Sequence, residues 1–293
     1  MSRNFRELLE AKWEEGKFIC VGLDSDWSKI PECITLQMHG SHDPTYHAIR
    51  SFNEAIVDAT RELVCAYKPN IAFYESHSES GLRALRETIK YIHKVAPDVP
   101  VILDAKRADI DNTNLGYVHS AFDELKADAV TVHPYLGAQA LKPFLDQKDK
   151  GIIVLCRTSN KGAGEFQDLP VETNLVPPME LMPLYQCVAM RVAKEWDWNG
   201  NCAVVVGATY PEELKIVRGI VGDMPILIPG IGAQGGDLEK TVHAGKNSRG
   251  RGMIINSSRG IIFASNGEDF AEAARCSALK LHEQIQKCLE VQS

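Results

Sequence analysis

Short runs of Val, Ile and Leu recur along the chain without polar alternation, at residues 18–23, 64–67, 99–103, 129–132, 152–155, 203–206, 226–228 and 253–255. Continuous apolar runs of this length predict parallel strands covered on both faces. Between them the apolar positions change to helical spacing. Leu82, Leu85, Ile89, Ile92 and Val95 predict a helix after the second run, with Ser78 or Ser80 as its cap. Pro211 stands where a helix begins and is followed by Leu214, Val217 and Ile220 or Val221. A helical tail is predicted over 268–289. Eight strands alternating with helices predict an α/β fold, a (β/α)8 TIM barrel. No linker divides residues 1–293, so a single domain is expected. A doubly wound open sheet is the alternative, because the pattern does not encode strand order.

Two connections are long. Residues 24–53 include Pro31, Gly40 and Pro44, with His39, His42 and His47 nearby. No carboxylate or cysteine completes a recognisable metal site there, so these histidines read as loop or surface residues. Residues 157–183 follow the fifth strand and hold Gly162, Gly164, Pro170, Pro177, Pro178 and Pro183. A long loop in a compact domain is often functional, such as a lid.

The polar residues gather at the C-terminal ends of the runs, where barrels of this kind carry their active groups. Asp24 follows the first run, Lys68 and Asn70 the second, His133 the fourth, and Arg157, Thr158, Ser159 and Asn160 the fifth. The third run ends in Asp104-Ala-Lys106-Arg-Ala-Asp109. Residues two apart on a strand share a face, so Asp104 and Lys106 are expected to project together, with Asp109 beyond in a turn or a first helical turn. An ion pair that only supports the fold is the alternative for Asp104 and Lys106 taken alone.

The seventh run leads into Pro229-Gly-Ile-Gly-Ala-Gln234-Gly-Gly, and the eighth into Asn256-Ser-Ser-Arg259-Gly. Glycines allow backbone N–H groups to approach an anion, and the dipole of the following helix would add to this. Gln234 offers a side-chain donor and Arg259 a bidentate fork for phosphate oxygens. A phosphate-bearing ligand is therefore expected between these two loops. The Lys-Ser/Thr of a P-loop is absent, and the glycines do not follow a first strand as in a dinucleotide fingerprint.

Composition narrows the partners. A chain of 293 residues with 44% hydrophobic and 24% charged positions is ordinary for a globular protein with a large core. A formal net charge of −7 argues against general binding to nucleic acid or membrane surfaces. No apolar stretch reaches the roughly 20 residues of a membrane helix, and residues 1–17 lack a signal-peptide core. The eight cysteines are scattered, several in apolar runs, which suits reduced thiols in a cytoplasmic protein.

Taken together, Lys68, the Asp104-Ala-Lys106-Arg-Ala-Asp109-Ile110 run, Gln234 and Arg259 resemble the orotidine 5′-phosphate decarboxylase family, in its longer bacterial-type branch, over nearly the whole chain. The resemblance implies decarboxylation of orotidine 5′-monophosphate to UMP and carbon dioxide in pyrimidine biosynthesis, with no metal or organic cofactor. It implies a Lys68–Asp104–Lys106–Asp109 charge array at the reacting carbon, with Lys106 as the acid that protonates it. It further implies a homodimer in which Asp109 and Thr113 serve the neighbouring subunit's site. By the same resemblance Asp24 would bind the ribose hydroxyls, Ser159 the pyrimidine edge, and Gln234 and Arg259 the phosphate. Many relatives carry Gly where Ala108 and Asp111 stand and Asn where His133 stands; Asp tolerates left-handed backbone better than most residues. Two other readings fit the same residues. One is a 3-keto-sugar-phosphate decarboxylase or hexulose-phosphate synthase of the same superfamily, against which Lys68 speaks because an ammonium would repel Mg²⁺. The other is a non-catalytic barrel that binds a phosphate ligand.

Overall fold

The computed structural model describes residues 3–38, 40–173, 180–231 and 236–290. All eight apolar runs form strands: β1 (Ile19–Leu23), β2 (Val64–Pro69), β3 (Ile102–Arg107), β4 (Ala129–Val132), β5 (Gly151–Arg157), β6 (Cys202–Val206), β7 (Ile226–Pro229) and β8 (Met253–Ser257). They lie in one parallel sheet in the order β2-β1-β8-β7-β6-β5-β4-β3. Two isolated parallel bridges, Tyr67↔Val101 and Asn70↔Asp104, join β2 to β3 and close the ring. This is a (β/α)8 barrel, and the open-sheet alternative falls. The strands are buried almost throughout, as expected when helices cover the outside and side chains fill the inside.

The N-terminal helix Phe5–Glu14 seals the end of the barrel opposite the polar strand ends. Trp13 Nε1 donates to the Met253 carbonyl at the start of β8 (2.8 Å), and Arg3 forks onto Asp128 just before β4 (2.8 and 2.9 Å). The C-terminal ends of the strands are thereby left as the accessible face.

Three expectations are corrected. The helix Ser78–Val95 has His77 at its cap position without a side-chain cap bond, and Ser78 is its first residue, so neither serine caps it. The 24–53 connection is shorter than its sequence suggested, because the helix Pro44–Thr60 begins inside it, capped by Asp43. The insert after β5 is not wholly irregular: it holds the short helix Gly164–Gln167 and an antiparallel pair, Pro170–Thr173 with Glu180–Pro183. The other helices fall where the pattern places them, Pro211–Val221 with proline in its first turn and Phe270–Glu290 at the C-terminus.

Candidate active site

The third strand runs further than its apolar pattern, and the reason is a bulge at the candidate site. Between the pairs Leu103↔Val130 and Arg107↔Val132, β3 advances four residues while β4 advances two. Lys106 sits in this bulge at φ 48°, a left-handed conformation that is unfavourable for a residue with a side chain. Simple strand alternation therefore does not explain how Asp104 and Lys106 meet. They meet because the bulge turns Lys106 back, placing its Nζ 2.7 Å from Asp104 Oδ1.

Lys68, at the end of β2, approaches the other carboxylate oxygen, with its Nζ 3.0 Å from Asp104 Oδ2. The Thr131 hydroxyl on β4 completes the set at 2.9 Å from Oδ1. Burial opposes ionisation of Asp104, but the charges of Lys68 and Lys106, with their hydrogen bonds, outweigh it and hold the carboxyl well below the usual carboxylate range. Burial likewise disfavours the Lys68 ammonium, yet Asp104 and then Asp24 pull it above the ordinary lysine value. Lys106 is the member open to a ligand, its side chain being 50% exposed against 5% for Lys68 and 12% for Asp104.

Two adjoining cavities share Lys68, Asp104 and Pro229. The larger, about 480 Å³, is also lined by Lys106, Leu155, Ser159, Val205 and Leu227, polar at the charges and apolar beyond them. The smaller, about 160 Å³, reaches Asp24, Asn70, Asn256, Ser258 and Arg259. Asp24 is held at the end of β1 by a buried network. Tyr74 donates to the Leu23 carbonyl (2.9 Å), and Asn53 Nδ2 donates to the Tyr74 hydroxyl (3.0 Å). Among the described residues, the buried oxygens Asp24 Oδ1 and Asn256 Oδ1 have no hydrogen-bond partner. Two free acceptors in one small polar cavity suit a ligand with hydroxyl donors.

Close approach of loops shapes both cavities. A Cβ on Gly22 would fall 1.8 Å from Ser258 Oγ, so only glycine lets β1 pass the loop that carries Arg259. A Cβ on Gly207 would lie 2.8 Å from Ser159 Cβ and 2.9 Å from its Cα. Arg259 opens the short helix Arg259–Ile262, is exposed, and makes no ion pair with a described residue. Gln234 lies outside the described residues. The helix after the glycine-rich turn, Leu238–Gly245, is capped by its own Asp237, whose carboxylate accepts from Lys240 N. The dipole expected to help an anion there is therefore met by an internal carboxylate.

Other sequence candidates lie elsewhere. Asp109 and Thr113 line neither cavity; Asp109 precedes the helix Asp111–Val118, and Thr113 is exposed on it. Asp111 takes φ 42°, a left-handed conformation that aspartate tolerates better than most residues. Arg157 turns away from the ligand cavities and pairs with Asp168 (3.1 Å) and Glu213 (3.7 Å). His133 lines neither of these cavities but a third, mostly apolar one of about 500 Å³ with Tyr135, Phe166, Tyr185 and Trp196, which adjoins the larger cavity at Leu155, Thr158 and Gln167. Thr131 was missed, because a threonine inside Ala-Val-Thr-Val reads as an ordinary β-branched strand residue.

The family profile described as "Orotidine 5'-phosphate decarboxylase / HUMPS family" matches residues 17–274. The chain is 50% identical over 284 residues to the orotidine 5′-phosphate decarboxylase of Cupriavidus metallidurans, covering 97% of this chain and 98% of that one. It is 47% identical over 283 residues to the enzyme of the same name from Cellvibrio japonicus, covering 96% and 98%. Among solved structures, Leishmania donovani OMP decarboxylase superposes with a TM-score of 0.80 at 36% identity, covering 98% of each chain.

Proposed function

Because the chain belongs to the orotidine 5′-phosphate decarboxylase / HUMPS family, we propose that it is a carboxy-lyase that converts orotidine 5′-monophosphate to UMP and carbon dioxide, a step of pyrimidine biosynthesis. The observation that carries this reading is the Lys68–Asp104–Lys106 array, with contacts of 3.0 and 2.7 Å, at the wall of a cavity that extends to Arg259. In the proposed reaction the bond between C6 and the carboxylate breaks, its electron pair stays on C6, and carbon dioxide leaves. No adjacent carbonyl delocalises that pair. Lys106 stabilises it electrostatically, transfers a proton from Nζ to C6, and is reprotonated from solvent.

Asp104 faces the departing carboxylate in this reading. Repulsion between the two groups is relieved as carbon dioxide forms, alongside the stabilisation that Lys106 provides. Lys68 keeps Asp104 ionised and placed. Its buried ammonium also disfavours the metal-assisted sugar-phosphate chemistry of the superfamily, because a divalent cation beside it would be repelled. Asp24 would take the ribose hydroxyls, Ser159 the pyrimidine edge, and Arg259 with Gln234 the phosphate, whose binding energy would serve to order the site. The array is completed by Asp109, with Thr113, from the partner subunit of a homodimer. What supports this is that both residues lie outside their own chain's cavities, flanked by the exposed apolar residues Ile110 and Leu115.

The test is direct. Purified protein, treated with excess chelator, is mixed with orotidine 5′-monophosphate while absorbance is followed, and UMP is identified as product. Conversion is expected at an undiminished rate. Activity that vanishes with chelator and returns with a divalent cation, or no conversion at all, would overturn the proposed function.

A further inference from the structure

Thr131 lies in the interior of β4, with 1% of its surface exposed, and its hydroxyl has three polar neighbours. The backbone N–H groups of Ala105 and Lys106 reach its Oγ1 at 3.0 and 2.9 Å, and Asp104 Oδ1 lies 2.9 Å away. A hydroxyl has one proton to donate and two lone pairs to accept with. The two amides can only donate, so they occupy the lone pairs. The hydroxyl proton then points to Asp104, which, being ionised, can only accept. The direction of every bond is fixed by valence, and the hydroxyl is saturated.

This one oxygen acts on Lys106 from both ends. At the backbone, the bulge removes residues 105 and 106 from the regular β3–β4 ladder, and Thr131 takes up both of their N–H groups. It thereby holds Lys106 at φ 48°, a conformation its own backbone disfavours. At the head group, Thr131 fixes Asp104 Oδ1, the same atom that receives Lys106 Nζ at 2.7 Å. Asp104 Oδ2 is already taken by Lys68, so the carboxylate plane has no freedom left. We propose that Thr131 is a positioning residue of the decarboxylation, setting the bulge and the carboxylate orientation that together aim the Lys106 ammonium. The proposal rests on the decarboxylase reading above.

The alternative is that Thr131 is only a well-packed strand residue. Valine separates the two, since it matches threonine in shape and strand preference and lacks the hydroxyl. Thr131→Val is expected to lower kcat roughly 10- to 100-fold, the scale of a lost hydrogen bond to a charged group. KM for orotidine 5′-monophosphate and affinity for UMP should move little, and Thr131→Ser should restore most of kcat. A crystal structure of Thr131→Val should show Lys106 out of the left-handed region and its Nζ withdrawn from Asp104. If valine prevents folding, Thr131→Ala carries the same expectations. A Val variant with wild-type kcat and an unchanged bulge, or a Ser variant as impaired as Val, would overturn the proposal. Wild-type protein that fails to convert the nucleotide would sink the decarboxylase reading instead, and the crystallographic comparison would still decide whether Thr131 sets the bulge.

Discussion

Replacing Asp104 by Asn tests whether the array is a coupled, buried charge system. Asparagine keeps the shape and one acceptor while removing the charge that Lys68 and Lys106 share. The Lys106 pair is half open to water, so solvent screens it, whereas the Lys68 pair is 5% and 12% exposed on its two sides. The expected loss is therefore that of one buried pair broken on one side, about 3–5 kcal/mol, with the retained carbonyl favouring the lower end. The loss should also depend on pH, in a direction that follows from Lys68. In the wild type, burial disfavours its charge, but Asp104 and Asp24 raise its pKa above that of the unfolded chain. A lysine raised in this way stabilises the fold below its unfolded value, about 10.4, and that contribution is lost only as pH rises through the higher folded value. In Asp104→Asn, burial dominates and the folded pKa drops below the unfolded one. The variant then carries a buried charge at neutral pH and recovers as pH rises toward about 10.

Denaturant unfolding of both proteins, at fixed protein concentration and from about pH 6 to pH 10, measures this gap. It should narrow with rising pH. The double variant Lys68→Met/Asp104→Asn, which leaves no charge stranded, should regain most of the loss. A gap below about 1 kcal/mol, a gap that does not change with pH, or a double variant no more stable than Asp104→Asn would refute the reasoning.

Arg259→Ala removes charge-assisted bonds to phosphate, so it should raise KM for orotidine 5′-monophosphate roughly 10- to 100-fold. Turnover of the phosphate-free nucleoside should barely change, and an equal loss on both substrates would contradict the assignment. Lys106→Ala should lower kcat by about 10³ or more while UMP still binds; near-normal turnover would remove Lys106 as the acid. Mixing Lys106→Ala with Asp109→Ala subunits, each nearly inactive alone, should restore about a quarter of wild-type activity after subunit exchange, because half the dimers then hold one intact site. No recovery after verified exchange would place Asp109 in its own subunit's site. Gly207→Ala should cost about 1–3 kcal/mol of stability and raise KM, since its Cβ would meet Ser159 at 2.8 Å; unchanged unfolding and kinetics would refute that close approach.

The barrel was legible because its strands are covered on both faces and so read as unbroken apolar runs. The polar strand ends were legible too, since Asp24, Lys68, Asp104, Ser159 and Arg259 all line the two adjoining cavities. What stayed hidden is set by contacts across the fold. The extension of β3 to Arg107 runs through a bulge whose Ala105 and Lys106 N–H groups donate to Thr131 of the next strand, and no local pattern encodes such a cross-strand contact. Arg157 looked like a ligand-binding group by position but pairs with Asp168 of its own insert and with Glu213, 56 residues on, and the local pattern shows neither contact. The antiparallel pair in the insert escaped notice because its strands begin or end in Pro170 and Pro183, which read as loop residues.

The placement of the array also bears on how the barrel closes. Seven of the eight strand junctions are parallel ladders, three of them with a register shift (β1–β2, β3–β4 and β5–β6), whereas β2 and β3 share only the isolated bridges Tyr67↔Val101 and Asn70↔Asp104. Lys68 and Asp104 stand on opposite sides of this seam, and their buried ion pair spans it. Thr131, from the next strand, holds the β3 side. The residues assigned to chemistry are thus the ones that join the barrel where its backbone hydrogen bonding is sparsest. A barrel strand that bulges to aim a lysine gives up regular ladder bonds, and the side-chain contacts of Asp104 stand in for part of them. Stability and catalysis should then be coupled at these positions in the same direction. Substitutions at Lys68, Asp104 or Thr131 should loosen the β2–β3 seam as they lower turnover, in contrast to Lys106, whose exposed ammonium can be removed with little effect on the fold.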